Sequence, residues 1–148
     1  MSNIQIISGI AAIIYDEKWE EILTIIENKS KLEILKVKGM VSCPLETCID
    51  DESLDDTLGR LAIEELFIRS EEIQELRFIP TNIKFPCLHQ NTIEILAGIY
   101  IGTLDKNKLF IPTGNEVGFN KWIRPNDLLV NKDIHKRREL DPILQFLM

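Results

Sequence analysis

The stretch from Ile4 to Tyr15 is the longest apolar run in the chain, and it constrains the fold more than any other feature. It is rich in β-branched residues, is interrupted only by Gln5, Ser8 and Gly9, and is too short to cross a bilayer as a helix. No basic segment precedes it, so it does not read as a targeting sequence. It reads as a buried strand over Ile4–Ile14, with Gly9 at a bulge or a close-approach point. The chain has 148 residues, about one domain, and a domain of that size buries roughly 68–70% of its unfolded surface. A single domain over residues 1–148 is therefore expected.

Further along, Trp19–Asn28 fits either a helix or a short buried strand, and the strand is favoured. Leu32–Val37 reads as a strand that ends at the Lys38-Gly39 turn. Val41–Glu52 lacks sustained periodicity and reads as a loop. A helix follows, capped by Ser53 with Asp56 in the reciprocal position of a capping box. Leu54, Leu58, Leu61, Ala62 and Leu66 recur at three- and four-residue steps and give it an apolar stripe. Strands are expected at Gln74–Ile79, Ile83–Phe85, Thr92–Leu104, Leu109–Ile111 and Val117–Ile123, punctuated by Pro80, Pro86, Pro112 and Gly114. A short helix is expected from Pro125 to Val130, and a terminal one with Asp141 as cap and Pro142 as first helical residue. Strands around one central helix, with helices again at the end, imply a mixed sheet covered by helices, an α/β or α+β fold.

Charge narrows the function classes. There are 17 Lys+Arg against 24 Asp+Glu, a net charge of −7, with 45% hydrophobic residues. That balance suits a folded globular protein and argues against coating a nucleic acid. Three cysteines are an odd count for a disulfide framework and point to a reducing, cytoplasmic setting. The spacing of Cys43, Cys48, Cys87 and His89 permits a Cys₃His zinc site, although buried free thiols and a surface histidine are the commoner outcome. Lys132, Lys136, Arg137 and Arg138 form the one basic cluster, beside His135; contact with the phosphates of a ligand or RNA is the alternative, but Glu139 and Asp141 follow at once and no aromatics are interleaved, so a solvated helix start is preferred. For Trp19 and Trp122 stacking on a base is the alternative, but large aromatics at strand positions are more often core, and both read so.

On the central helix, Arg60 and Glu64 lie about 40° apart and Glu65 about 100° beyond Glu64, taking about 100° per residue. Adjacent carboxylates beside an arginine can hold a hard divalent cation, with phosphate oxygens completing its shell; the plain alternative is a solvated helix face. The segment Glu52-Ser53-Leu54-Asp55-Asp56-Thr57-Leu58-Gly59-Arg60-Leu61-Ala62-Ile63-Glu64-Glu65-Leu66-Phe67-Ile68 resembles the Nudix box, with Glu52, Arg60, Glu64, Glu65 and Ile68 in register. The flanks are similar too: an N-terminal pair of strands, Lys38-Gly39 at a Gly-rich turn, and Asn115–Ile123 as an acidic turn and a tryptophan-bearing strand. The resemblance implies a Nudix-like α/β/α sandwich around a mixed β-sheet. It also implies cleavage of the diphosphate linkage of a nucleoside-diphosphate derivative with Mg²⁺, or Mn²⁺, as cofactor. A nucleotide-type small molecule is the expected partner, no membrane is involved, and homodimers are common among members.

Three positions depart from the pattern. Leu61 stands where the family has a glutamate, in the middle of the expected metal site; Phe67 replaces a glycine; and the opening glycine falls on Glu46. An apolar side chain neither binds Mg²⁺ nor takes a proton from water, so a replacement carboxylate is needed. Glu116 is ranked first for that role, with Asp50, Asp51 and Glu46 behind it. The site expected from the resemblance has Glu65 and Glu116 as catalytic residues, Glu64, Glu65 and Glu52 as metal ligands, and Lys38 and Arg60 as substrate contacts. For Glu52 a carboxylate at a helix start, for Arg60 a surface pair with Glu64, and for Lys38 a solvated turn are the plainer assignments. The alternative to a hydrolase is a catalytically silent relative that binds a nucleotide-type ligand or a protein partner as a sensor.

Overall fold

The computed structural model describes residues 3–32, 36–88, 90–109 and 116–148. Expectations that touch 33–35, His89 and 110–115 lie outside the described residues: the middle of the Leu32–Val37 strand, the end of the Leu109–Ile111 strand with Pro112 and Gly114, Asn115, and the histidine of the zinc set. In chain order the strands are β1 (Gln5–Tyr15), β2 (Ile22–Glu27), β3 (Val41–Ser42), β4 (Leu45–Thr47), β5 (Gln74–Pro86), β6 (Ile93–Thr103) and β7 (Val117–Ile123). The principal helices are α1 (Leu54–Leu61), α2 (Pro125–Val130) and α3 (Leu140–Leu147).

The strands form one seven-stranded mixed sheet with β1 at its centre. β1 pairs in parallel with β6 along its whole length, from Gln5↔Ile93 to Tyr15↔Thr103, and β5 lies antiparallel on the far side of β6. On the other edge of β1, β2 meets it only at Tyr15↔Ile22, after which the two strands part. The chain over 41–47 fills the opening. β3 pairs with Ile25 and Ile26 of β2, β4 pairs with Gly9–Ala11 of β1, and the Ala12 N–H donates to the Pro44 carbonyl at 2.9 Å. β7 closes the far edge of β2.

Alternation along β1 divides the core into two layers. Ile10, Ala12 and Ile14 face Leu58, Leu61, Ala62 and Leu66 of α1 and its continuation. Ala11 and Ile13 face Leu128 of α2 and Leu140, Ile143 and Leu144 of α3. Helices thus cover both faces of a mixed sheet, the α/β/α sandwich that the resemblance implied. At Gly9 an added Cβ would meet Ile95 Cγ2 at 2.7 Å, so the glycine marks the close approach expected of it. Among the described residues no helix is long and apolar enough to cross a membrane.

Several sequence expectations are corrected. The Val41–Glu52 loop contains β3 and β4, because the parting of β1 and β2 leaves two open edges that only tertiary structure can reveal. Gln74–Ile79 and Ile83–Phe85 are one strand, with a register shift between Pro80 and Lys84 that an edge strand tolerates. The last helix starts at Leu140 with Glu139 at the cap position, so Asp141 and Pro142 lie in its first turn. Trp19 is not core; it sits half-exposed in a turn at φ 58°, its ring 5.2 Å from that of Tyr15, while Trp122 does pack against the α1-side core. The basic cluster is not a solvated helix start. Lys136 Nζ donates to the Leu128 and Leu129 carbonyls at 2.8 and 3.2 Å and pairs with Asp141 at 2.7 Å, and Arg137 and Arg138 pair with Glu139. Val41 N and Val41 O bond His135 O and Arg137 N, tying the segment to β3.

Candidate functional site

The box begins as its sequence suggests: Ser53 Oγ accepts the Asp56 N–H at 3.0 Å and starts α1. After Leu61 the helix widens to π pitch over Ala62–Leu66, and it ends at Phe67, a left-handed residue at φ 58°, ψ 33°. The wider turn re-aims the side chains, so angles reckoned for a continuous α-helix do not hold. Glu64 turns outward with 55% of its side chain exposed. Glu65 turns inward, and its Oε2 is buried with no hydrogen-bond partner among the described residues. Leu61 is fully buried with Ile10, Ala12 and Leu58 in the apolar layer. It belongs to the core, not to the middle of the carboxylates as expected.

Arg60 is the hub of the acidic cluster. Its Nη1 pairs with Glu46 at 3.0 Å and with Glu64 at 3.7 Å, its Nε and Nη2 donate to Glu52 at 3.1 and 3.0 Å, and Nη2 also donates to the Thr47 carbonyl at 2.8 Å. Glu52 further accepts the Ile49 N–H at 3.1 Å and the Thr57 hydroxyl at 2.8 Å. Hydrogen bonding from Arg60, then from Ile49 and Thr57, holds the Glu52 carboxyl down at about 2. The same pairs hold the Arg60 guanidinium above its ordinary value. Glu52 thereby ties β4, the loop and α1 together through Arg60.

Glu65 is the electrostatic opposite. Burial first, then the charges of Glu46 and Glu27, push its carboxyl up to about 8, with Lys36 and Arg137 pulling the other way. Glu27 is itself buried in β2, between Lys36 at 3.9 Å and Arg137 at 3.7 Å. Glu116 stands just before β7, pairs with Lys31 at 3.5 Å and has 63% of its side chain exposed. Lys38 is exposed in its turn, and Asp50 and Asp51 are exposed before Glu52. Cys43 is buried in the α3-side core, where burial pushes its thiol up to about 12 and disfavours the thiolate that a zinc site needs. Cys48 Sγ accepts the Thr57 hydroxyl at 3.1 Å.

A cavity of about 350 Å³ opens beside this cluster. Its floor is apolar, with Ile95 and Ala97 from β6, Phe85 from β5 and Ile143 from α3, and its rim carries Lys36, Glu46, Arg137, Arg138 and Glu139. Glu46, Lys36 and Arg137 are also charges that act on Glu65, so cavity and carboxylates adjoin. Sequence reasoning missed Lys36 and Glu139 as site residues and ranked a phosphate contact for Arg137 and Arg138 below a solvated helix start. Their only local signal is a run of mixed charge, which ordinarily marks a solvated face.

Whether a divalent ion suits these residues turns on Glu65. A buried carboxyl oxygen left without a donor can ligate a hard cation once the group is ionised; Glu64 precedes it on the same turn with its side chain turned outward. Glu46 and Glu52 spend oxygens on Arg60. Among the described residues no three acidic, cysteine or histidine side chains converge as a closed cage. The donor set therefore fits an ion of the Mg²⁺ kind, which takes one or two carboxylates and completes its shell with water and phosphate.

No protein-family model and no curated protein matches the chain. Solved structures do. A MutT NUDIX hydrolase from Burkholderia pseudomallei superposes at a TM-score of 0.69 over 97% of this chain and 99% of its own, at 15% identity. A MutT protein from Methanosarcina mazei Go1 gives 0.64 over 97% and 93% at 16% identity. An Ap4A hydrolase from C. elegans, solved as a binary complex, gives 0.64 over 95% and 94% at 14% identity. At such identities the likeness lies in the course of the backbone, over nearly the whole of each chain: this protein has the Nudix fold.

Proposed function

We propose that the chain is a Nudix-type hydrolase that cleaves the diphosphate linkage of a nucleoside-diphosphate derivative, with Mg²⁺ or Mn²⁺ held by Glu65 and Glu64. The observation that carries this reading is Glu65 itself, a buried carboxyl with an unpartnered oxygen, next to a cavity lined by two cations that favour its ionised form. A metal ion bound there supplies charge neutralisation at the diphosphate oxygens and a more acidic water. Arg60 keeps Glu46, Glu52 and Glu64 in fixed positions, so the acidic cluster needs no rearrangement when substrate arrives. Lys36 and Arg137, in place of Lys38, face the cavity and meet the phosphates. With its carboxyl pushed up to about 8, Glu65 keeps its proton near neutral pH until a cation displaces it, and Glu116 is the candidate base outside the box. The three free cysteines suit a reducing compartment.

A second reading, a nucleotide-binding domain without turnover, is favoured by Leu61, whose burial in the core removes one family carboxylate. One assay separates the two. Purified chain is incubated with a panel of nucleoside-diphosphate derivatives with and without Mg²⁺, and released phosphate, pyrophosphate and nucleotide are resolved by chromatography. Turnover that needs the ion and is lost in Glu65→Gln supports the hydrolase. Saturable binding without product supports the silent domain.

A further inference from the structure

We propose that Glu46 supplies the carboxylate that Leu61 lacks, acting as the general base that takes the proton of the attacking water. This rests on the hydrolase reading and names a residue within it. Leu61 is committed to the α1-side core, and Glu116 to an ion pair with Lys31. Glu52 has both oxygens occupied, Oε1 by Arg60 Nη2, the Ile49 N–H and the Thr57 hydroxyl, and Oε2 by Arg60 Nε. Glu46 differs. Its Oε1 pairs with Arg60 Nη1 at 3.0 Å, and the same nitrogen stands 3.7 Å from Glu64 Oε2, so one guanidinium nitrogen sets the two carboxylates side by side. Glu46 is also the foremost of the charges that act on Glu65. It thus adjoins both residues proposed to hold the cation, and with 23% of its side chain exposed it is open to water.

Position and chemistry agree. β4 holds Glu46 opposite Ile10 of β1, and the residue stands at the rim of the cavity. Arg60 fixes the head of the side chain without consuming it: a carboxylate has about four lone-pair sites, and the ion pair is made through Oε1, which leaves Oε2 for a proton. Arg60 also divides its charge among Glu46, Glu52 and Glu64. An ion-paired carboxylate is a weak base, which suffices where a divalent cation makes the water more acidic. In the step, the water oxygen bonds to one phosphorus as the bond from that phosphorus to the bridging oxygen breaks. The bridging oxygen leaves with its electron pair on the other fragment, and the water's proton passes to Glu46 Oε2 and on to solvent. Two departures from the box then become one. The acid missing from the helix at Leu61 returns on a strand at Glu46, where the family has a glycine.

The test compares the native chain with Glu46→Gln and Glu46→Gly, using ADP-ribose, UDP-glucose and dGTP with Mg²⁺. On whichever probe the native chain cleaves fastest, Glu46→Gln should lose kcat about a hundredfold or more, with KM and the calorimetric Mg²⁺ affinity held within about twofold. A structural role through Arg60 would instead move KM or the Mg²⁺ affinity. In Glu46→Gly, formate should restore part of kcat in proportion to its concentration. Chloride at the same ionic strength pairs with Arg60 but is no base, and should restore none. Undiminished kcat in Glu46→Gln, a loss confined to KM or Mg²⁺ affinity, a larger loss in Glu116→Gln, or rescue that is absent or equal with chloride overturns the proposal. If Glu46→Gln does not fold, formate against chloride in Glu46→Gly decides; if both variants fail to fold, Glu46 is structural and the proposal falls. Cleavage that survives Glu46→Gln refutes the base alone, whereas a native chain that cleaves none of the probes refutes the hydrolase reading and the base with it.

Discussion

Replacing Glu65 with glutamine should change how stability depends on pH, and the size of the effect follows from the burial of that carboxyl. Its folded pKa of about 8 lies above the 4.5 of an exposed glutamate. Between those values the native state holds a proton that the unfolded chain has released. Stability must therefore fall as pH rises, by about 1.4 kcal/mol per pH unit, beginning near the unfolded value and ceasing once the folded carboxyl ionises. By neutral pH the accumulated loss is about 3 kcal/mol, which for a domain of this size is roughly 6–12 °C in Tm. Glutamine fills the same space and does not ionise, so the variant should lack that slope and overtake the native chain as pH rises. Urea unfolding of both proteins across about pH 5 to 8, compared as a double difference, isolates the effect. Parallel profiles would refute the assignment of Glu65 as a buried, mostly neutral acid. Millimolar Mg²⁺ should flatten the native profile if the ion binds the carboxylate, and leave the variant unmoved.

Leu61→Glu, which restores the family residue, should destabilise the protein by about 4 kcal/mol and confer no activity, because it buries a carboxylate among Ile10, Ala12 and Leu58; thermal melts and the turnover assay check both halves. Phe67→Gly should stabilise by about 1 kcal/mol through relief of the left-handed backbone, with Phe67→Ala giving no such gain in urea midpoints. Arg60→Gln should raise the Glu52 pKa from about 2 toward its usual value, seen in carboxyl ¹³C titration, since the guanidinium is its leading cause. Gly102→Ala should cost about 1–3 kcal/mol, because the new Cβ would collide with Ile73 Cγ2 and press the Gln74 carbonyl at 3.0 Å; chemical denaturation measures it.

What could be read from the sequence was what local spacing encodes. The apolar stripe of α1, the Ser53 cap and the β-branched run of β1 are local patterns and the structure keeps all three, whereas the two core layers that β1 separates come from its packing. The eight-residue step from Glu52 to Arg60 is likewise local, a loop carboxylate reaching back to the second turn of its own helix. What escaped depends on elements meeting in space. Glu46 enters the site because β4 fills the gap between parted strands, and nothing around Val41–Glu52 signals that gap. The inward turn of Glu65 and the outward turn of Glu64 come from a change of helical pitch after Leu61. Arg137, Arg138 and Glu139 look like a solvated run until the Val41 backbone draws the segment against β3 and α3 sets it at the cavity.

The parallel partnership of β1 with β6 also bears on how the protein is made. The two strands are joined edge to edge over their whole length, yet most of the chain is translated between them. Until Thr103 has left the ribosome, an isoleucine-rich ribbon waits with its principal edge bare, open to pairing with another nascent chain. Fragments that stop short of β6 should aggregate, whereas chaperone engagement early in synthesis should raise the yield of full-length protein.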